Sequence, residues 1–459
     1  MLERPLRVAV VGAGPSGMYA AGHLLNRPDL PFAIEVDVLE RLPTPWGLVR
    51  AGVAPDHPEK KQVARLFEST AALPGFRFFG NVEVGRDLGP AELSQWYDAV
   101  IYAVGAAGDR RAGIPGEDLA GSHSATEFVS WYNGHPDFCE RRFDLSGERA
   151  VVIGNGNVAL DVARILMLPQ QQLCGTDIAA HALEALAASR IREVVILGRR
   201  SALHGAFNNP ELSELGELEG VDLIVDPSEL PDEAQIAALQ PDWIVQRKIE
   251  TLREWSQRRP AGHPRRILLH FLAAPLALSG SAQVRSLRVG RNRPTAGGDV
   301  EPTGETFSID TGLVLRAIGY HGRAIAGLPF DPARGVIPNR DGRIGDARDA
   351  TAGAYVTGWI KRGPSGIIGT NKKCSQDTVR ALLDDAMAKR LPFTGTLSAV
   401  AVAAAFKARK PDLVRYTGWQ AIDRQERLLG TSVGRPRVKM PRIEELLGIA
   451  VPASATGAR

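Results

Sequence analysis

The sequence predicts an α/β protein built of two dinucleotide-binding, Rossmann-like domains, one of which carries a small antiparallel β meander. Three observations predict it. An apolar run of buried-strand type enters Gly12-x-Gly14-x-x-Gly17, and a second enters Gly154-x-Gly156-x-x-Ala159. Each is followed by a helical pattern, the context in which such a fingerprint holds a pyrophosphate. Residues 267–318 alternate in the β manner between turn-rich stretches, as an antiparallel meander does.

In the first unit Leu6 to Val11 reads as a strand and Met18 to Leu25 as a helix. Gly12 permits the tight turn, Gly14 lets the backbone approach a pyrophosphate, and Gly17 lets helix and strand pack closely. Ala13, Pro15 and Ser16 complete this candidate phosphate loop, and the helix N-terminus offers N–H donors and a positive dipole end. The strand Ile34 to Leu39 delivers Glu40, near the offset of roughly 20 residues expected for a ribose-binding carboxylate, with Arg41 after it. The stretch Glu40 to Pro58 holds four prolines and two glycines in nineteen residues, too many for a helix interior. Trp46, Leu48, Val49 and Val53 are too apolar for a disordered segment. A loop with Gly47, Leu48 and Val49 at its centre is therefore expected to fold over a flat object, a dinucleotide.

Residues 59–70 read as one helix with Lys60, Lys61 and Arg65 on one side. Phe76 to Phe79 and Val82 to Val84 read as strands, Tyr97 to Val104 as a buried strand, and 109–149 as irregular. The second unit repeats the opening device, with a strand from Ala150, the turn Gly154, Asn155, Gly156, Asn157, Val158, and a helix. Ile178 to Arg190 reads as a helix. Its next strand, Glu193 to Leu197, runs into Gly198-Arg199-Arg200 where the first unit has an acid. A carboxylate accepts from a ribose hydroxyl; arginines suit a 2′-phosphate through charge-assisted, often bidentate bonds. Glu40 thus suits a plain adenosine ribose, as in FAD, and Arg199 with Arg200 suits NADP(H). Glu211 and Glu214, three apart, share a helix face. Tyr355 to Thr370 is a third glycine-rich strand-to-helix element. Its helix runs through Ala388, and its N-terminus is placed to stabilise negative charge on a reduced flavin ring. The last sixty residues read as helical, with a small-residue tail after Gly448.

Composition narrows the classes. The chain has 459 residues, 44% apolar and 23% charged, ordinary for globular domains with sizeable cores. A net charge of +3 gives no argument for nucleic acid. No signal peptide or presequence is visible, and the longest apolar run, Leu397 to Phe406, is too short for a bilayer. A cytoplasmic protein without a membrane partner is expected. Cys139, Cys174 and Cys374 are widely spaced, form no C-x-x-C pair and suggest no metal site. A disulfide reductase that relays electrons through a cysteine pair is disfavoured.

These elements resemble the adrenodoxin reductase family, and its bacterial NADPH-ferredoxin reductases most closely. The resemblance spans essentially the whole chain. It is carried by Pro45-Trp-Gly-Leu-Val-Arg-Ala-Gly-Val-Ala-Pro-Asp-His-Pro58, Phe79-Gly-Asn-Val-Glu-Val84, Trp131-Tyr-Asn133, Gly154 to Arg164, Gly198-Arg-Arg200 and Gly358 to Gly366. It implies FAD bound noncovalently by the first and last parts of the chain. The FAD domain would be discontinuous, over 1–108 and 325–459, with an NADP domain inserted at 109–324. By matched position, Ala13, Glu40, Leu48, Val84, Trp359 and Gly366, Ile367, Ile368 would touch FAD. Asn155 to Val158, Arg199, Arg200, Glu211 and Gly366 would touch NADP. Trp359 stands where many related flavoproteins have an aspartate. Ser201-Ala202 replaces the family's common Gly-Pro, and Pro210 precedes Glu211.

The implied reaction is hydride transfer from NADPH to FAD, then single-electron transfer to an iron-sulfur ferredoxin that supplies downstream enzymes such as cytochromes P450. The cofactor carries the chemistry and no side-chain nucleophile is needed. His57, held between two prolines, and Glu214 are the candidate residues for tuning hydride transfer. An acidic ferredoxin would dock on a basic face, either Lys60, Lys61 and Arg65 or the seven Arg and Lys residues of 247–266. A monomer is expected. Two rival readings are an NAD(P)H diaphorase or quinone reductase without a protein partner, and a non-catalytic flavoprotein docking subunit.

Overall fold

The structure is a computed structural model that describes residues 4–295, 299–345, 352–393 and 397–451. The chain divides into two compact units. Unit 1 comprises Met1–Val53, His57–Gly108 and Tyr320–Arg459; unit 2 comprises Ala54–Asp56 and Asp109–Gly319. The chain re-enters unit 1 at Tyr320 rather than at 325, and three residues of the proline-rich loop group with unit 2.

In unit 1 the strands β1 (Leu6–Val11), β2 (Ile34–Glu40), β3 (Phe76–Gly80) and β4 (Ala99–Tyr102) form one parallel sheet with the returning strand Ala354–Val356. The order is Ala354–Val356, β4, β1, β2, β3. Apart from Arg7, whose Nε donates to Glu35 at 3.3 Å, β1 is apolar on both faces because both are covered. Leu6, Val8 and Val10 join a cluster with helix α1 (Pro15–Leu25) and the long helix Ile368–Met387. Ala9 and Val11 join a second cluster that includes Val402 and Phe406. The alanine-rich run of the sequence is thus the helix Ala399–Arg409, which buries those two residues.

Unit 2 has a six-stranded parallel sheet in the order Ser122–Ser124, Leu313–Arg316, Arg149–Ile153, Glu193–Leu197, Arg265–His270, Val221–Val225. Helices pack on the face of Ala150 and Val152. The other face, with Val151 and Ile153, is covered by the antiparallel strands Ala273–Ser279, Ser286–Pro294 and Val300–Asp310.

Several sequence expectations are corrected. Arg265–His270 belongs to the parallel sheet, not to the meander. Val82 to Val84 is not a strand: Asn81 turns with φ 61°, and Asp87 caps the Glu83 N–H at 2.8 Å. The helix expected over 59–70 is two pieces, Pro58–Lys61, which buries nothing, and Ala64–Ala71, which buries Phe67. The proline-rich loop contains one helical turn, Leu48–Ala51. Residues 109–149 contain the helix Ala125–Tyr132, capped by Ser124. The last helix, Ile443–Ala450, runs past Gly448, and the tail 452–459 lies outside the described residues.

Candidate dinucleotide sites

In unit 1 the β1–α1 turn is shaped by steric necessity. Gly12 has φ 106°, and a Cβ there would meet the Ala103 carbonyl oxygen at 2.6 Å. A Cβ at Gly17 would meet the Gly12 carbonyl oxygen at 1.9 Å. The N-cap of α1 is Gly14, with no capping side chain and no acid in the first turn. The helix end is therefore left to an external anion.

Glu40 closes the turn from β2. Its carboxylate accepts the Ala13 N–H at 2.9 Å and the Leu42 N–H at 3.1 Å. Burial pushes its carboxyl above the usual range, against these two donors and the nearby Arg41 charge. The proline-rich loop is bolted to the same turn, since Trp46 N–H donates to the Ala13 carbonyl at 2.9 Å. Trp46 adopts φ 82° and is buried against Phe67, Tyr416 and Trp419. Trp46 and Val49 are thus internal anchors rather than the outer surface of a cover; Leu48 is the exposed one. Val84 is partly buried and bridges to Leu88.

The third glycine-rich element meets the first turn. A Cβ at Gly358, φ 76°, would meet Ser16 Oγ at 2.1 Å. Ser16 Oγ donates to Asn371 Oδ1 at 2.9 Å, and Ser375 Oγ donates to the Ser16 carbonyl at 2.8 Å. Trp359 lies against Tyr320 with ring centroids 5.1 Å apart and the planes tilted by 37°. Gly366 turns with φ 80°, and Ile367 stands exposed at the N-cap of the long helix that begins at Ile368. Arg362, which sequence reasoning did not single out, donates to Asn371 Oδ1 at 3.0 Å, yet its Nε and Nη1 are enclosed without a partner among the described residues. A phosphate or carbonyl oxygen beside it would complete the cradle, so these residues fit an anionic dinucleotide such as FAD.

Unit 2 repeats the register with different chemistry. Gly12 N–H donates to Leu39 O at 2.7 Å; Gly154 N–H donates to Leu197 O at 2.9 Å. Val11 pairs with Leu39 as Ile153 pairs with Leu197. The counterpart of Glu40 is therefore Gly198. Above it lies the Asn155 side chain, 2.5 Å from where a Cβ on Gly198 would be. Gly154 has φ 114°, and Gly156 is an N-cap without a capping side chain. Asn157 Oδ1 accepts the Asn208 N–H at 2.8 Å, tying the turn to the helix Asn209–Gly216. Val158 is half-buried. Arg199 and Arg200 are exposed, and their backbone is braced: Asn292 Nδ2 donates to Arg199 O at 2.9 Å and Leu272 N–H to Arg200 O at 3.1 Å. Glu211 is buried in the first turn of its helix.

The two tuning candidates lie in different units. His57 in unit 1 is buried, with Nδ1 3.1 Å from Lys60 Nζ. Glu214 in unit 2 lies 3.5 Å from Arg164 Nη1. Arg164, 3% exposed, also holds Asp56 at 2.5 Å and Asp161 at 2.7 Å, and these carboxylates raise its pKa against its burial. This cluster, which draws Asp56 into unit 2, was not foreseen. Among the described residues no group of three or more potential metal ligands occurs, and all three cysteines are free.

Comparison with known proteins decides the family. Residues 6–224 match the family model described as pyridine nucleotide-disulphide oxidoreductase. The chain is 49% identical to NADPH-ferredoxin reductase FprA of Mycobacterium leprae, over 96% of this chain and 98% of that one. It is 38% identical to the mitochondrial NADPH:adrenodoxin oxidoreductase of Arabidopsis thaliana, over 98% and 96%. The chain belongs to the adrenodoxin reductase family. A solved structure of this family, Mycobacterium tuberculosis FprA in complex with NADPH, matches with TM-score 0.92 and 48% identity, covering 98% of this chain and 100% of that one. The family's two Rossmann-like parallel sheets and small antiparallel sheet are those described above.

Proposed function

We infer that the chain is an FAD-dependent NADPH:ferredoxin oxidoreductase. The observation that carries the reading is the pair of turns in matching register, one ending in Glu40 and the other in Gly198-Arg199-Arg200. Unit 1 holds FAD: the α1 N-terminus takes the pyrophosphate, Glu40 the adenosine ribose, and Leu48, Val84, Trp359 and Gly366 to Ile368 bound the rest. Unit 2 holds NADPH: the turn Gly154 to Val158 takes the pyrophosphate, Arg199 and Arg200 grip the 2′-phosphate, and Glu211 contacts the nucleotide.

FAD, when bound, supplies the conversion of one hydride from NADPH into two single-electron transfers to an iron-sulfur ferredoxin. The protein's part is position and electrostatics. The uncapped helix ends bind phosphate, and the braced backbone at Arg199 and Arg200 fixes the cations. His57 and Glu214 tune hydride transfer without being indispensable to it. The ferredoxin is an acidic one that docks on a basic face of a monomeric, cytoplasmic enzyme. Its candidate faces are the two basic stretches, Lys60 with Lys61 and Arg65, and 247–266. Arg247, Arg253, Arg258 and Arg266 pair with Glu250, Glu233, Glu254 and Glu193, and Lys248 is buried on the Gly205 carbonyl. No helix among the described residues is long and apolar enough to cross a membrane.

Replacing Arg199 and Arg200 by Ala tests the reading. The KM for NADPH should rise about ten- to a hundred-fold, since a lost charge-assisted phosphate contact costs roughly 1.5–3 kcal/mol, and the KM for NADH should barely move. Equal weakening of both nucleotides would refute it.

A further inference from the structure

We propose that His204 is a third contact to the 2′-phosphate of NADP(H), one that makes the choice between NADP(H) and NAD(H) depend on pH. The proposal rests on the assignment of Arg199 and Arg200 to that phosphate and names a specificity residue beyond them.

The chain doubles back at once after Arg200. Ala202–His204 form a single 3-10 turn, closed by Ser201 Oγ accepting the Leu203 N–H at 3.4 Å and by the His204 N–H on Ser201 O at 2.9 Å. His204 is therefore held close to the two arginines by a rigid local turn, on the same loop. Its ring is half-buried, and its Nδ1 is enclosed without a hydrogen-bond partner. No hydrogen bond or ion pair of this ring exists among the described residues. A histidine nitrogen removed from water and left unsatisfied is costly, and a phosphate oxygen is the acceptor a protonated ring would take.

The charged groups around it fix the sign. Arg200 precedes the turn, and its positive charge acts on the ring. Lys248, from the helix Trp243–Gln257 packed against the turn, is bonded to the Gly205 carbonyl at 3.0 Å. Asp299, at the tip of the hairpin of Ser286–Pro294 and Val300–Asp310, opposes Arg200. Burial lowers the ring's pKa, Arg200 lowers it further, and Asp299 raises it less. Without a ligand the ring is held neutral at neutral pH. A phosphate monoester, with a second pKa near 6, brings up to two negative charges. Beside Arg200 it reverses the local field and favours the protonated ring. Binding of the 2′-phosphate then takes up a proton, so its extra affinity grows as pH falls through the histidine range. A nucleotide without that phosphate gains nothing.

The experiment uses the FAD-loaded protein with 2′,5′-ADP and 5′-AMP as probes, and reads dissociation constants by calorimetry from about pH 8 to about pH 6.5. In the natural protein the preference for 2′,5′-ADP should grow by about ten-fold over that range relative to His204→Gln, the size of one charge-assisted contact. The phosphate's own ionisation is common to both proteins, so the difference belongs to His204. His204→Asn serves as the second variant if the first does not fold. Superimposable pH profiles would overturn the proposal. The Arg199→Ala/Arg200→Ala protein separates the two levels. If it loses affinity equally for both probes, the 2′-phosphate site itself is misassigned. If it loses 2′,5′-ADP alone while His204→Gln leaves the profile unchanged, only His204 is wrong.

Discussion

Glu426 offers the sharpest test of how the FAD loop is held. Its side chain is fully enclosed in unit 1, and its carboxylate binds Arg50 through Nη1 at 2.8 Å and Nη2 at 2.5 Å. It also accepts from Arg437 Nη1 at 3.0 Å and from the Met440 N–H at 3.0 Å. Arg50 lies in the helical turn that carries Leu48 and Val49, with its guanidinium 5.4 Å from the Trp419 ring. Lys439 closes the other side by donating to Arg50 O at 3.1 Å. Glu426→Ala removes four hydrogen bonds and leaves Arg50 and Arg437 without their shared counter-charge. Breaking a buried pair from one side costs about 3–5 kcal/mol, because the stranded cations stay desolvated. That is a large part of a domain's stability of about 5–15 kcal/mol. Because two units need not unfold together, the readout should be local: Trp419 fluorescence and FAD release during urea titration. The charge also predicts a pH dependence. The two arginines hold the Glu426 carboxyl below its usual range against strong desolvation. Its contribution is therefore complete above the unfolded value of about 4.3 and is lost as pH falls through the lowered folded value. Glu426→Gln should weaken the neutral-pH protein and flatten its acid sensitivity. Glu426→Ala within about 0.5 kcal/mol of the natural protein, the range of ordinary surface substitutions, would refute the reasoning.

Arg164→Met leaves Asp56, Asp161 and Glu214 facing one another, so melting at neutral pH should fall by the equivalent of about 3–5 kcal/mol. Part should return on acidification, the opposite trend to Glu426, when melting is compared at two pH values. His57→Gln and Glu214→Ala should keep FAD and slow stopped-flow flavin reduction by NADPH by about ten-fold, or about 1.4 kcal/mol of barrier; unchanged rates in both would assign them structural roles. Salt should slow ferredoxin reduction well beyond its effect on a small neutral acceptor, and equal responses would leave the basic stretches as plain surface.

The sequence made the two turns legible because their geometry leaves almost no freedom. At Gly12 and Gly154 a side chain would strike the carbonyl of residue 103 or 317, so the glycines are visible as letters. Parallel strands such as Ala99–Tyr102, Arg149–Ile153 and Glu193–Leu197 were legible for a similar reason, since burial on both faces writes a near-continuous apolar run. What failed was pairing. Arg265–His270 alternates like an edge strand and yet lies between two parallel neighbours; a period of two says nothing about direction. The helix Ala125–Tyr132 escaped because its buried Phe128, Val129, Trp131 and Tyr132 are weak helix formers that packing overrides. Long-range ion pairs escaped entirely. Arg50 meets Glu426 across 376 positions of sequence, and Arg164 meets Asp56 across 108. No local pattern encodes either.

The contrast between acid and arginines, read from the sequence as a swap of letters, is in the structure a swap of volumes. In unit 1 the residue after the first glycine is Ala13, whose N–H is accepted by Glu40 and whose side chain claims no room. In unit 2 the same place holds Asn155, and its amide reaches over Gly198 where an acid's own Cβ would need to be. Ala13 with Glu40 and Asn155 with Gly198 are thus complementary pairs, small with large and large with small. An acid at position 198 would have to displace the Asn155 amide, the movable end of a side chain, and in unit 2 the cations stand one residue outward, on an exposed and braced backbone. It follows that Gly198→Glu must turn the Asn155 amide aside before its carboxylate can take the place that Glu40 holds in unit 1. Adding Asn155→Ala removes that amide and gives the second turn the same small-with-large pairing that Ala13 and Glu40 make in the first.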